Sequence, residues 1–409
     1  MAGSPDSIAL ANRAVDAIPF EIETSGQACT TSSEESYGLR YSRTLRLVAV
    51  LALTLVPTLE AQESWVIGPW TRASQTPVIQ PRPESVFVDS VSGKPVHWEA
   101  LHTFNPAAVV RNGKIYVLYR AEDNSGAMKI GGHTSRLGMA VSRDGIHFNR
   151  MPEPVFYPSR DEQMARETPG GVEDPRIVES PDGNYILTYT QWSRKTHIYT
   201  IGVATSPDLL HWTKFGPIFG TEGKYANAKY KSAGIVTRVK GDRLIAAKLK
   251  GKYWMYWGEG EIHLATSEDL IHWHPLEDKN GRPEVLLRRR VEKSDSAFPE
   301  TGPPAVLTSN GIVLLYNAKN ASDHTMDPHV GANAYTVQEA LFSAKKPDHL
   351  IARTDAPVLE PALEWERSGQ YAAGTTFGEG LVLFHDEWWL YYGAADSFVG
   401  AAKAARHTH

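Results

Sequence analysis

Between residues 85 and 402 the chain is written in short apolar runs that alternate with polar positions and stop at Gly or Asp-Gly, the pattern of half-buried strands joined by tight turns. One unit recurs along this stretch. It opens on a polar residue, passes through an apolar strand, turns, and returns along an aromatic strand that ends in a polar cluster. Its copies are NPAAVVRNGKIYVLYRAED (105–123), EDPRIVESPDGNYILTYTQW (173–192), KSAGIVTRVKGDRLIAAKLKGKYWMYWGEGE (231–261), ETGPPAVLTSNGIVLLYNAKN (300–320) and GTTFGEGLVLFHDEWWLYYGAAD (374–396). Three copies continue into a further strand with a shared ending, GMAVSRDGIHF (138–148), GVATSPDLLHW (202–212) and HLATSEDLIHW (263–273). No segment of useful length carries a helical period. Five units of about 60–75 residues with three or four short strands each predict an all-β protein, a five-bladed β-propeller. The fifth copy ends close to the C-terminus, so its outer strand is expected from ESVFVDSVSGKPVHWEA (84–100), which would close the ring and cover an open edge.

Composition narrows what such a fold could do. A formal net charge of −5 offers no basic stripe for a phosphate backbone, so nucleic acid is not an expected partner. The 11 Trp and 17 Tyr supply flat faces that suit sugar C–H surfaces, as well as core. Cys29 is the single cysteine, so neither an internal disulfide nor a cysteine metal site can form. The run LVAVLALTLVP (47–57) follows Arg43 and Arg46, is too short to span a bilayer, and reads with residues 58–61 as a signal peptide. The expected organisation is therefore an N-terminal extension over 1–62, one catalytic domain over 63–402 and a tail over 403–409, in an exported protein.

In a propeller the opening residues of the inner strands converge on one mouth of a central channel. These are Asn105, Glu173–Asp174, Lys231–Ser232, Glu300 and Thr375–Thr376, joined there by the ends of the second strands, among them Arg120, Asp123, Glu259 and Asp396. Carboxylates gathered in a partly dry mouth separate their pKa values, so that one holds a proton while another is ionised. Glycoside cleavage requires such a pair. The segment SDHTMDPH (322–329) has the wrong spacing for a common metal site and reads as a rim loop, with His324 within reach of sugar. No metal or cofactor is expected. The repeated His211–Trp212 and His272–Trp273 endings read as packing signatures.

The motifs GVEDPRI, YRAED, YWGEGEIHLATSEDLIHW, ETGPP and LYYGAAD, in this order over about residues 85–402, resemble glycoside hydrolase family 130, the β-mannoside phosphorylases and β-mannosidases. That resemblance implies a five-bladed propeller that holds the non-reducing mannose of a β-mannoside in its central pocket. It implies that Asp174 is the proton donor acting through a sugar hydroxyl, and that Asn105, Arg120, Asp123, Glu173 and Asp396 hold the mannose. Phosphorylases need cations beside the anomeric carbon, for which Arg194 and Lys231 are the candidates. Here Glu259, Glu261 and Glu300 bring negative charge to that region instead. The expected activity is hydrolysis of β-1,2-linked manno-oligosaccharides with inversion, using Glu259 and Glu300 beside Asp174. Phosphorolysis by inorganic phosphate and a non-catalytic carbohydrate-binding propeller are the alternatives.

Overall fold

The computed structural model describes residues 64–226 and 228–406. The stretch 47–61 read as a signal peptide lies outside the described residues. Among those residues helix is confined to Met164–Glu167 and a 3₁₀ turn at Glu364–Arg367, and no helix is long and apolar enough to cross a membrane.

The protein is all-β, and its strands fall into five consecutive antiparallel sheets. The first is His102–Arg111, Lys114–Glu122, Ser135–Ser142 and Phe148–Arg150. The second is Gly170–Glu179, Tyr185–Ser193, Ile198–Ser206 and Thr213–Pro217. In the third, Ala233–Lys240 pairs at its start with Lys252–Trp257 and at its end with Arg243–Ala246, which accounts for the extra residues in that copy. His263–Ser267 and Trp273–Pro275 complete it. The fourth joins Phe298–Thr301 and Ala305–Leu307 to Ile312–Lys319, Tyr335–Ser343 and Lys346–Arg353. The fifth is Phe377–Phe384, Glu387–Ala394 and Phe398–Ala405.

The strand that covers the fifth sheet is not the one expected. Thr71–Arg72 pairs with Phe398–Ala405, whereas segment 84–100 folds into a small ribbon of Phe87–Val88 with Pro95–Val96. The reason is chemical. Arg72 donates Nε and Nη2 to the buried Glu366 carboxylate at 2.7 Å each, a two-point anchor that 84–100, which has no arginine, does not carry. That ribbon instead leads to Trp98 and Glu99, which pack on the first sheet, where Glu99 accepts from Tyr119 and Arg150. The last strand also runs through Ala405, past the boundary expected at 402.

The apolar cores lie between successive sheets. Val178, Ile186 and Ile201 of the second meet Ile235 and Met255 of the third. Val236 and Tyr256 of the third meet Leu314 and Phe342 of the fourth, and Val313 and Leu341 meet Leu381 and Leu390 of the fifth. The fifth packs back on the first through Val382, Phe384 and Tyr391 against Ala108 and Val110. The shared endings are structural, as expected. Asp208 and Asp269 accept from the two backbone N–H groups that follow and from a histidine ring, and the indoles of Trp212 and Trp273 donate to Leu209 and Leu270.

Candidate active site

Asn-Pro and Asp-Pro stand at the start of the inner strands of the first two sheets. Each pair forms a β-bulge. Register shifts between Phe104 and Pro106 and between Glu173 and Arg176, leaving Asn105 at φ 45° and Asp174 at φ 48°. Proline cannot donate to the ladder, so pairing is broken there at little cost, and the bulge re-aims the preceding side chain. Ser232 (φ 65°) and Asp396 (φ 49°) occupy the same left-handed region at the same mouth. Such strained positions concentrate at functional sites.

These side chains meet in one cavity of about 450 Å³. Asn105, Arg120, Glu173, Asp174, Lys231, Glu259, Glu300 and Asp396 all line it. Asp174 Oδ1 accepts from Asn105 Nδ2 at 2.8 Å and from Arg120 Nη1 at 3.0 Å. The second guanidinium nitrogen donates to Glu122 at 2.6 Å and to Glu173 at 2.9 Å, so one buried arginine serves three carboxylates. Across the cavity Lys231 Nζ stands 3.2 Å from Glu259 and 3.3 Å from Glu300. Ser232 donates to Glu300 Oε1 at 2.6 Å, and the backbones of Glu259 and Glu300 face each other in an isolated bridge. Glu300 Oε2 and Asn105 Oδ1 are buried without a hydrogen-bond partner.

The carboxylates titrate apart. Burial pushes Glu300 up to about 7 against the pull of Lys231, and pushes Glu173 up to about 7 and Asp396 up to about 6 against Arg120. Burial acts on Asp174 in the same direction, but Arg120, Lys231, Arg176 and the Asn105 amide outweigh it and hold the group down at about 2. Of the two neighbours, Glu173 therefore takes up a proton more readily than Asp174.

Three expected site residues lie elsewhere. Asp123 is buried against Arg136, which donates to it at 2.7 Å and also binds Asp89, so it holds the first sheet to its ribbon. Arg194 donates to the backbone carbonyl of His133 and lines no part of the cavity. Glu261 pairs with Arg288 at 3.3 Å on the exposed surface. The segment around His324 lines a separate hollow with Glu292, Lys293 and Asp355.

Thr375 and Thr376, the expected opening of the fifth strand, are buried and line no part of the cavity, and the bulge between Gly378 and Gly380 leaves Glu379 outside the ladder register. Glu379 is buried with Arg176 at 2.9 Å, and burial drives its pKa well above the ordinary carboxylate range. The Gly-Glu-Gly spacing was the available signal. Sequence reasoning also missed the aromatic wall of Phe104, Trp192, Tyr199, Tyr335 and Tyr371, and Lys319, whose ammonium lies 5.1–5.6 Å from the rings of Phe298, Tyr335 and Tyr371. Among the described residues His102, Glu122 and His133 bring three ligand atoms within 4.8 Å of one another, but Glu122 is already engaged by Arg120 and Gln370.

A polar cavity of this size with an aromatic wall and separated carboxylates suits a sugar, and the comparisons with known proteins agree. The family model described as β-1,4-mannooligosaccharide phosphorylase matches residues 70–407. The chain belongs to glycoside hydrolase family 130. A curated family relative, the 1,2-β-oligomannan phosphorylase of Thermoanaerobacter sp. (strain X514), is 32% identical over 81% of this chain and 95% of its own length. A solved structure from Parabacteroides distasonis ATCC 8503, described as that of a putative glycoside hydrolase, is 50% identical with a TM-score of 0.81, covering 84% of this chain and 98% of that one. A second solved structure, 47% identical with a TM-score of 0.81 over 84% of this chain and 95% of its own, is described in the words that the GH130 family of mannoside phosphorylases contains glycoside hydrolases that target β-1,2 mannosidic linkages in Candida mannan. This family 130 member is thus an enzyme of β-mannoside metabolism.

Proposed function

We propose that this enzyme hydrolyses β-1,2-linked manno-oligosaccharides with inversion, that its five sheets are the blades of a propeller, and that the cavity at their mouth holds the terminal mannose. The observation that carries hydrolysis is the state of the cations. Arg120 is committed to three carboxylates and Lys231 to two, so neither is free to pair a phosphate dianion, which a dry pocket would demand. Five carboxylates, from Glu173, Asp174, Glu259, Glu300 and Asp396, face three cations, from Arg120, Lys231 and Lys319. Water meets no such obstacle. Glu259 and Glu300 would hold the attacking water, with Glu300 as base, since a group titrating near 7 suits proton transfer at neutral pH. Asp174 would bind the mannose hydroxyls with Asn105 and Arg120 and pass the proton of Glu173 through them to the leaving oxygen. The signal-like stretch at 47–61 supports action outside the cytoplasm.

Phosphorolysis is the second reading. The curated relatives that match this chain are named phosphorylases, which favours it, and Lys319 is a cavity cation that, among the described residues, pairs only with aromatic rings. Time-resolved proton NMR of β-1,2-mannobiose cleavage in phosphate buffer separates the two. Hydrolysis with inversion gives α-mannose as the first signal, and α-mannose 1-phosphate would replace the first reading with the second.

A further inference from the structure

A second cavity, of about 410 Å³, shares one wall with the first. That wall is Tyr199, Lys231 and Glu259, residues that line both. On the far side the cavity is walled by Lys224, Tyr225, Ala228, Lys229 and Tyr230 and by the turn at 281–283, and Trp257, Gly258 and His263 also line it. The two outer walls are tied together: Tyr225 Oη donates to Glu277 at 3.1 Å, Lys224 donates to the carbonyl of Gly281 at 2.6 Å, and Lys224 also pairs with Glu277. Gly258 sits at φ +121°, where a Cβ would lie 2.3 Å from the Glu261 carbonyl, so the floor can be built only with glycine.

One of the lining groups is a buried donor with no partner among the described residues: the Trp257 indole N–H, on a residue 4% exposed. The buried Tyr230 hydroxyl meets the Phe219 backbone. Buried polar groups are ordinarily satisfied, so each such group calls for an explanation. His263 gives its Nδ1 to the Glu284 carbonyl, which makes that nitrogen the donor and leaves Nε2 as an acceptor, and burial lowers its pKa and keeps the ring neutral. An indole face, the phenols of Tyr199, Tyr225 and Tyr230, an unused indole N–H and a neutral imidazole form, beside Lys229 and Arg282, a set suited to the hydroxyls of a sugar.

We propose that this cavity is a second carbohydrate subsite, which takes the sugars of an oligomannoside that lie beyond the first leaving-group residue. The inference rests on the cleavage reading above. With the terminal mannose in the first cavity, the scissile bond lies at the Glu259 and Glu300 side. The chain leaving there crosses the Tyr199–Lys231–Glu259 wall, and its further units enter the second cavity. The enzyme is therefore tuned to oligomers longer than the disaccharide.

The test compares kcat/KM for β-1,2-mannobiose and β-1,2-mannotetraose in the wild type and in Tyr225→Ala. A wild-type preference for the tetraose that falls by about tenfold or more in the variant is expected, one rim aromatic being worth on the order of that factor. Tyr225→Phe, which keeps the ring and loses the bond to Glu277, should retain most of the preference. Equal rates on both sugars in the wild type, or an unchanged ratio in Tyr225→Ala, would overturn the proposal. Calorimetric titration of the same two sugars into Glu300→Gln keeps the two readings distinguishable. Tighter binding of the tetraose that Tyr225→Ala abolishes would uphold the subsite even if no cleavage occurred. Binding independent of length would overturn it even if cleavage did.

Discussion

Lys231 stands between two glutamates, Glu259 and Glu300. Its ammonium is the largest force opposing the rise of the Glu300 pKa, and at 3.2 and 3.3 Å it holds Glu259 and Glu300 on one side of the cavity. A base must be ionised to act, so kcat/KM should rise with pH through a limb near 7, the value to which burial pushes Glu300. Lys231→Met removes the charge that lowers that value, and the limb should move to higher pH. A limb that stays in place would take Glu300 out of the role of base. Glu300→Gln should lower kcat by about 10²–10⁴-fold, the usual worth of a positioned general base. Turnover near that of the wild type would remove Glu300 from the mechanism.

At the scale of elements the site is built by bulges, and each sheet depends on its neighbour. A Cβ at Gly393, on the second strand of the fifth sheet, would lie 2.0 Å from Asn105 Oδ1 on the first strand of the first. Gly393→Ala should thus displace the Asn105 amide from Asp174 and reduce kcat/KM by about 10²-fold, the penalty typical of a 1 Å misplacement, while circular dichroism stays native. Activity like that of the wild type would mean that Asn105 does not position Asp174. The repeat was legible at this scale because strand period and turn chemistry are local, and the Asn-Pro and Asp-Pro bulges marked Asn105 and Asp174 for the same reason. Glu379 was not legible, because its bulge lies between glycines and its partner, Arg176, comes from another sheet. Asp123 and Arg194 lie away from the cavity because their partners, Arg136 and the His133 carbonyl, are chosen by the folded chain and by nothing adjacent in sequence.

At the scale of the whole molecule the fifth sheet is covered by a strand from the other end of the chain. Thr71–Arg72 reaches its edge, and Arg72 meets Glu366, which also accepts from Tyr392 Oη at 2.7 Å and from the backbone N–H of Leu363. Arg72→Met leaves a fully buried carboxylate without its charge partner and should cost about 3 kcal/mol, seen as a Tm lower by several degrees with kcat retained in the folded fraction. An unchanged Tm would show that closure does not depend on this pair. The sequence pattern led to the wrong closing segment because two strand residues carry no period, and an ion pair between residues 72 and 366 leaves no local trace. The central claim, that water and not phosphate enters the ring of carboxylates, is tested most directly by the rate of β-1,2-mannobiose cleavage as inorganic phosphate is raised from none to saturating excess. A constant rate, with free mannose as the product throughout, is the predicted result. A rate that is negligible without phosphate and climbs with it, as mannose 1-phosphate accumulates, would contradict the claim.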